Sequence, residues 1–335
     1  MERFSLGDAA ELAGDVGPDP RLIGVLAELD RPIALAALRE LIAERLPAQP
    51  ILARRVVRNG PATWNASWQR VDVRVEDHVF EVRTSDPLAT ATRLAGEDLG
   101  HEVPAWRLIL LSGPDASALL FAAHHVLPDG ATAVTLVGSL LGADFTLPDL
   151  PRPRRGPLGF LGLLAGVNAG VGKTSLLTPI TEGFRLVGRN EVAAMAVAIP
   201  ASDGRDDAAQ LVRLAGRARW RKLLAHGFPS AGAFAGVLAL LGRLGWYRPL
   251  FSRQRAITSL LTNLRGPAEP LRLLGAEVTS LTALSPSLGN VTVVFAAVSY
   301  AGTLRVTARL DRSVWPEQKV LTDALDAVLQ RLSSA

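Results

Sequence analysis

The hydrophobic pattern of this 335-residue chain consists mainly of short apolar runs, which predict buried β-strands rather than long helices. Such runs occur on both sides of a proline- and arginine-rich stretch near the middle. The predicted strands cover residues 21–29, 106–112, 117–124, 192–199, 257–263, 291–299 and 303–310. Ala301-Gly302 forms a turn between the last two strands, which are therefore expected to pair.

Helical and alternating patterns fill the intervals between these runs. Asp86-Pro87 combines a helix cap with a first-turn proline. Val71, Val73 and Val75 alternate with polar residues, which predicts a half-buried strand. The predicted helices begin near Ser5, at Asp86-Pro87 and near Ala131, and cover 35–46, 208–224, 231–244 and 323–332. Together with the strands, they predict a mixed α/β chain.

A stiff basic segment divides these elements into two halves. Prolines and arginines fill residues 151–157, and an apolar run follows at 158–171. That run is shorter than the roughly 20 residues of a membrane-spanning helix. A packed helix and a segment that dips into a membrane surface remain open alternatives. We predict an N-terminal half over 1–150, a linker over 151–180 and a C-terminal half over 181–335.

Composition excludes several kinds of chemistry. The chain contains no cysteine, which excludes disulfides, thiolate metal sites and a cysteine nucleophile. A formal net charge of +4 is too small to predict nucleic-acid binding. No secretion signal is recognisable, so we expect a cytoplasmic protein. Gly172-Lys173-Thr174 is typical of a P-loop, but Val167 stands where the first glycine belongs, and no nucleotide site is predicted.

Two adjacent histidines at the end of a predicted strand are the main candidates for chemistry. The apolar run through Ala122 ends at His124-His125, and Asp129-Gly130 precedes a predicted helix, with Asp129 in the N-cap position. Side chains alternate along a strand, so His124 and His125 should point to opposite faces, which disfavours a shared metal. A histidine with a free ring nitrogen here can take a proton from a hydroxyl or an amine.

The segment His124-His125-x-x-x-Asp129-Gly130 resembles the HHxxxDG motif of acyltransferases with the chloramphenicol acetyltransferase-like fold. Further segments resemble, in order, the bacterial wax ester synthase/diacylglycerol acyltransferase family within that group. They are the first ten residues, Asp77-His78-Val79, Pro104-Ala105-Trp106, Thr262-Asn263-Leu264-Arg265-Gly266-Pro267 and Ser299-Tyr300-Ala301-Gly302-Thr303-Leu304. Each is weak alone, but their order extends the resemblance over most of the chain.

The resemblance implies a fold, an activity and residue roles. The fold is a two-half, chloramphenicol acetyltransferase-like (condensation-domain-like) α/β sandwich. The activity is acyl transfer from a thioester, acyl-CoA, to the hydroxyl of a lipid alcohol or diacylglycerol, without a cofactor or metal. His125 is then the general base, His124 orients the turn, and Asp129 holds the helix start. The amide of Gly130 and the side chain of Asn263 are the candidate oxyanion donors.

Three residues are expected to contact substrate: Trp106, Asn263 and Gly266. Trp106 is either part of the core or the wall of a substrate tunnel. Residues 263–267 should approach the histidines from the second half. The expected partners are an acyl thioester and a hydrophobic alcohol. Contact with the inner face of a membrane or with a lipid droplet through Arg152, Arg154 and Arg155, and a carrier protein as acyl donor, remain open.

The chain also departs from the family pattern. Family members have a longer middle with an Asn-Asp motif that is absent here, and Arg265 replaces a proline. Two alternatives therefore remain. One is an acyltransferase of specialised metabolism that uses a CoA- or carrier-protein-bound donor. The other is a non-catalytic relative that binds acyl chains.

Overall fold

The computed structural model describes residues 1–15, 21–60, 65–100, 102–128, 130–142, 174–181, 192–199, 209, 212–216, 240–254, 257–287 and 289–333. Several predictions concern residues outside these ranges. They are the cap Asp129, the apolar run 158–171, the lysine of the P-loop-like segment, the arginines of the linker and most of the helices predicted over 208–224 and 231–244.

Strands and helices are interspersed along the described residues, and the strands near the C-terminal end follow one another directly. The strands are β1 Glu2–Arg3, β2 Leu22–Leu29, β3 Arg54–Arg58, β4 Ala66–Arg70, β5 Val79–Arg83, β6 Trp106–Ser112, β7 Ser117–His124, β8 Thr174–Thr181, β9 Val192–Ile199, β10 Ser259–Arg265, β11 Arg272–Leu273, β12 Ala276–Leu284, β13 Val293–Tyr300 and β14 Thr303–Leu310. The helices are α1 Leu6–Ala13, α2 Leu35–Arg45, α3 Val75–His78, α4 Pro87–Leu94, α5 Gly130–Leu140, α6 Tyr247–Arg253 and α7 Gln318–Ser333.

The first sheet has the strand order β11-β12-β2-β7-β6-β5 and contains the strand that ends at the two histidines. Strand β7 lies between β2 and β6, and all eight of its residues are buried. Its last residue, His124, pairs with Leu22 at the start of β2. The predicted apolar run is thus a central strand, and its rigid pairing fixes where the histidines stand.

The second sheet has the order β14-β13-β10-β8-β9 and consists of strands that follow residue 173. Strands β13 and β14 form the predicted hairpin, and both turn residues, Ala301 and Gly302, have positive φ angles of 46° and 80°. This is the turn geometry that matches strand twist. Thr174 begins strand β8, whereas the threonine of a P-loop begins a helix. The backbone at Thr174 therefore differs from that of a P-loop.

The two sheets are joined by strand β12 and by side chains of β14. Strand β12 follows β10 in the chain, yet it pairs with β2 of the first sheet. Arg305 on β14 reaches back to Glu28 on β2, with 2.9 Å between Nη1 and Oε2, and donates to Thr282 Oγ1 over 3.1 Å. The division of the chain at residues 150 and 181 stays a prediction. Strand β12 belongs to the predicted C-terminal half, but it pairs with β2 of the N-terminal half.

A third, small sheet of order β1-β4-β3 anchors helix α1. Ser5 and Asp8 cap each other: Asp8 N–H donates to Ser5 Oγ, and Ser5 N–H donates to Asp8 Oδ2. The indole N–H of Trp68 on β4 also donates to Asp8 Oδ2, over 3.1 Å. Burial raises the pKa of the Asp8 carboxyl, although these hydrogen bonds oppose the shift. These hydrogen bonds therefore anchor the N-terminal end of helix α1, and the helix runs from there towards the histidines.

One predicted strand was wrong, and strand β12 was missed. Residues 71–74 pair with no strand, and Val75 begins the short helix α3. The alternation of exposure that suggested a strand is real, because Val71 and Val73 are half-buried whereas Asp72 and Arg74 are exposed. Strand β12 was not predicted, since an irregularity between Val278 and Ser280 shifts its register and breaks the two-residue period.

Among the helices that the structure describes, none combines the length and the apolar character needed to cross a membrane.

Candidate active site

The two histidines stand where strand β7 ends and the chain turns towards helix α5. The backbone N–H of His124 donates to Ala105 O over 2.9 Å. The backbone N–H of His125 donates to Arg21 O over 2.8 Å, and Leu127 N–H closes the turn on His124 O over 2.9 Å. These bonds place His125 one residue beyond the strand, as the sequence predicts.

The side chain of His124 is buried and engaged at both ring nitrogens. It is 1% exposed. Nδ1 accepts the backbone N–H of Val126 over 3.2 Å, and Nε2 lies 3.3 Å from Asp15 Oδ2, just beyond helix α1. Because Nδ1 is an acceptor, the ring proton of neutral His124 is on Nε2, facing Asp15. His124 therefore ties the turn to the segment after α1.

The side chain of His125 faces a different carboxylate and is 14% exposed. Its Nδ1 lies 3.4 Å from Oε2 of Glu11 on helix α1. Burial lowers the pKa of His125 below its ordinary value of 6.5; Glu11 opposes this shift and Arg21 adds to it. His125 is therefore neutral near pH 7, which is the state that a general base requires.

Glu11 is held by an arginine as well as by the histidine. Nη2 of Arg21 lies 2.9 Å from Glu11 Oε2, and the two side chains are 12% and 15% exposed. Burial alone raises the pKa of the Glu11 carboxyl, but the charge of Arg21, together with His125 and His124 in their protonated forms, outweighs it, and the pKa lies below 4.5. Glu11 is therefore a carboxylate at neutral pH.

Strand β10 brings the second half of the chain to the start of helix α5. A Cβ atom added to Gly130 would lie 3.4 Å from Leu264 Cδ2, so these two residues are in contact. Asn263, the neighbour of Leu264, is exposed on the same strand. Leu264 thus approaches the start of helix α5 from the second half, and the approach of the rest of the segment 263–267 to the histidines stays a prediction.

Gly266 has a structural requirement of its own. A Cβ atom at this position would lie 2.5 Å from Ser299 O, and Gly266 N–H donates to the same carbonyl over 2.8 Å. Only glycine fits so close to a neighbouring backbone. Contact of Gly266 or Asn263 with substrate stays a prediction.

Trp106 and His78 form a second histidine site inside the core. Trp106 is 1% exposed, and its indole N–H donates to Leu52 O over 2.9 Å. The His78 ring stacks on the indole at 4.3 Å between centroids, and its Nδ1–H donates to Trp106 O over 2.8 Å. Burial lowers the pKa of His78 below 6.5. This packing favours the core alternative for Trp106.

Three charged residues of the site were missed at the level of sequence: Glu11, Asp15 and Arg21. Their signal is visible in retrospect, because Asp8, Glu11 and Asp15 recur at spacings of three and four and therefore share one helix face. An acidic helix face usually indicates solvent. Here the described residues contain no cluster of three metal-ligating side chains, and the carboxylates face histidines and an arginine instead.

Two family models match this chain. The wax ester synthase/diacylglycerol acyltransferase catalytic domain matches residues 18–218, and the C-terminal domain of the same family matches residues 189–333. The first match covers more than half of the chain and includes both histidines.

Solved structures show the same fold at low sequence identity. A wax ester synthase/diacylglycerol acyltransferase from Marinobacter aquaeolei VT8 superposes with a TM-score of 0.68 and 14% identity, over 99% of this chain and 98% of that chain. A starter condensation domain of rhizomide synthetase in complex with C8-CoA gives 0.62 and 12%, over 93% and 89%. The first condensation domain of the calcium-dependent antibiotic synthetase gives 0.62 and 13%, over 99% and 95%. The predicted condensation-domain-like α/β fold is thereby confirmed.

Proposed function

This chain belongs to the wax ester synthase/diacylglycerol acyltransferase family and is an acyltransferase, and we propose that His125 is its general base. The observation that carries this proposal is the position of His125 at the end of a fully buried strand, where its ring is neutral near pH 7 and 14% exposed. Membership in the family favours an enzyme over the non-catalytic alternative.

His125 is better suited to this role than His124. Both ring nitrogens of His124 lie against atoms of the protein, Val126 N and Asp15 Oδ2, and the side chain is 1% exposed. Nδ1 of His125 lies against Glu11, and 14% of this side chain is exposed, compared with 1% for His124. His124 therefore positions the turn, and His125 remains to meet a substrate hydroxyl.

The proposed reaction is a direct acyl transfer. Neutral His125 takes the proton of the acceptor hydroxyl as the oxygen attacks the thioester carbonyl, and a C–O bond forms. The tetrahedral intermediate then collapses, the C–S bond breaks, and imidazolium returns the proton to the leaving thiolate. The products are an ester and a free thiol. The chain has no cysteine, and the route needs no covalent enzyme intermediate.

Two groups are the candidates to stabilise the negative charge of the intermediate. The backbone amide of Gly130 opens helix α5 at the turn, whereas Asn263 is exposed on strand β10 and alternates with Leu264, the residue that lies against Gly130. Either group satisfies the chemistry without a metal or cofactor. Asp129, which is outside the described residues, retains its proposed role at the helix start.

We assign acyl-CoA as the donor and a lipid alcohol or diacylglycerol as the acceptor. The family name supports the acceptor, and the CoA complex of a structurally similar condensation domain supports the donor. A carrier-protein donor and an acceptor from specialised metabolism are the other outcomes of the assay. Peripheral membrane contact through the arginines of the linker would be salt-sensitive.

The absence of cysteine makes the assay simple. Purified protein is mixed with acyl-CoA esters of increasing chain length and with a long-chain alcohol or a diacylglycerol. A thiol reagent then reports CoA release only, because the protein has no thiol of its own. We expect release that depends on the alcohol, together with ester formation seen by mass spectrometry.

A matched set of donors separates the alternatives. Transfer from an acyl carrier protein, but not from any acyl-CoA, would replace the proposed donor. Thiol release that does not depend on an alcohol would indicate hydrolysis rather than transfer. A His125→Ala protein with the wild-type rate would remove His125 from the mechanism.

A further inference from the structure

We propose that Glu11 is a positioning residue for His125, which it holds with the ring proton on Nδ1 and the lone pair on Nε2, and that Arg21 holds Glu11 in turn. The kinetic consequence rests on the proposed function, whereas the tautomer itself does not. The chain then contains a base, an orienting carboxylate and a cation that fixes the carboxylate.

The three residues form a closed cycle of contacts. His125 N–H donates to the backbone carbonyl of Arg21 over 2.8 Å. The Arg21 guanidinium lies 2.9 Å from Glu11 Oε2, and the same oxygen lies 3.4 Å from His125 Nδ1. Each residue thus contacts the other two. At 3.4 Å the Nδ1–Oε2 contact is longer than a normal hydrogen bond, and contacts of this kind in unliganded sites tighten when substrate binds.

The position of Glu11 is also independent of His125. Helix α1 is anchored by its reciprocal cap between Ser5 and Asp8 and by the hydrogen bond from Trp68 to Asp8. Glu11 lies one turn further along the same face of this helix. The carboxylate is therefore presented to the histidine by a fixed support.

Two acceptors beside His125 determine which ring nitrogen is protonated: the Glu11 carboxylate and the backbone of His125 itself, to which the ring is hydrogen-bonded. Glu11 is ionised, and a carboxylate only accepts hydrogen bonds, so a proton is favoured on Nδ1, the nitrogen that faces it at 3.4 Å. Among the residues that the structure describes, the other ionisable groups here are Arg21, which faces Glu11, and the pair His124 and Asp15, which face each other. Helix α5 carries no charged side chain. The lone pair of neutral His125 is consequently on Nε2.

The neighbouring histidine has the opposite arrangement. His124 accepts a backbone N–H at Nδ1 and faces Asp15 with Nε2. The two adjacent rings therefore present different nitrogens to their two carboxylates. This difference gives each ring a distinct signature that an experiment can read.

Nitrogen NMR of protein labelled in its five histidines tests the tautomer without any substrate. The His125→Ala spectrum assigns the signals of His125. We expect a protonated Nδ1 and an unprotonated Nε2 for wild-type His125 near pH 7. The double variant Glu11→Met/Arg21→Met removes both charges, so no buried charge is left unpaired. Its His125 signals should move towards the other tautomer.

Kinetics supply a second test in which two single variants act in opposite directions. Glu11 raises the pKa of His125 and Arg21 lowers it. Glu11→Gln should therefore move the acid limb of the rate profile to lower pH, and Arg21→Met should move it to higher pH. Glu11→Gln should also lower kcat on the order of 10- to 100-fold with little change in KM, because the base is less well oriented.

Glu97→Gln is the matched control, since Glu97 is an exposed carboxylate whose ion pairs within the described part of the chain are with Arg93 and Arg107. Glu97→Gln should change neither the apparent pKa of the acid limb nor the plateau rate of the pH profile. A wild-type His125 protonated on Nε2, or a Glu11→Gln profile identical to wild type, would overturn the inference. Wild-type protein with the expected tautomer but without acyl transfer would instead refute the proposed function and leave the positioning role in place.

Discussion

His125 and His78 lie in the same half of the molecule, and burial lowers the pKa of both, yet their surroundings differ. His78 stacks on Trp106 and is bound to a backbone carbonyl, with 4% of its surface exposed. His125 faces a carboxylate at a strand end and is partly exposed. A lowered pKa therefore does not identify a base by itself. What distinguishes the two histidines is access and the kind of group that faces the ring.

The largest expected effect is on the rate after His125→Ala. Loss of a general base lowers kcat about 10²- to 10⁴-fold. The free energy of unfolding should change little, because the side chain lies just beyond the end of strand β7 and is partly exposed. CoA release and the melting temperature check both parts. A large drop in melting temperature with an unchanged rate would reverse the roles of the two histidines.

His78→Ala should have the opposite profile. It removes a buried ring that stacks on Trp106 and a hydrogen bond to a buried carbonyl, which together contribute about 3 kcal/mol to the free energy of unfolding. Turnover by the protein that remains folded should stay close to wild type. Denaturant unfolding measures the loss, and His78→Phe, which keeps a ring, should lose less. A rate defect equal to that of His125→Ala would give His78 a role in the chemistry.

A smaller effect is expected on stability as a function of pH. The unfolded histidine has a pKa of about 6.5, and the folded pKa of His78 and of His125 lies below it. The unfolded state therefore takes up protons first as the pH falls. The associated stability is present above pH 6.5 and is lost as the pH falls through that value towards the folded pKa. Either His78→Phe or His125→Ala should reduce this loss, measured as the midpoint of urea unfolding at several pH values.

The smallest effect is expected at a helix cap that touches neither histidine. Asp86 accepts the backbone N–H of Ala89 at the start of α4, over 2.9 Å. Asp86→Ala should lower the free energy of unfolding by about 0.5–2 kcal/mol and leave kcat unchanged. It thus controls for general destabilisation in the comparison of the two histidines. An effect of Asp86→Ala on kcat would show that the assay responds to stability alone.

The sequence predicts strands β2, β6 and β7 well because they are continuous buried runs. Strands such as β7 are continuous apolar runs, and no neighbouring contact is needed to recognise them. Strand β12 is harder, since its irregular register hides the period, and residues 71–74 show alternation without a pairing partner. The local hydrophobic pattern indicates which side chains are buried, but strand pairing depends on distant parts of the chain.

The same limit applies to the site. The histidine pair was found from its strand end and its motif, because both are local. Glu11 and Arg21 were not, since an acidic residue on a short helix looks solvated until the helix docks. The contact from Trp68 to Asp8 is what turns that face inwards. Tertiary anchoring of α1, rather than any pattern within it, creates the environment of His125.

The pH dependence of kcat/KM in wild-type and His125→Ala proteins tests the assignment of the base most directly. The wild-type value should be constant near neutral pH and fall on the acid side with an apparent pKa below 6.5, as neutral His125 becomes protonated. The residual rate of His125→Ala should lack this limb. A His125→Ala protein that keeps the wild-type limb would show that another group is the base.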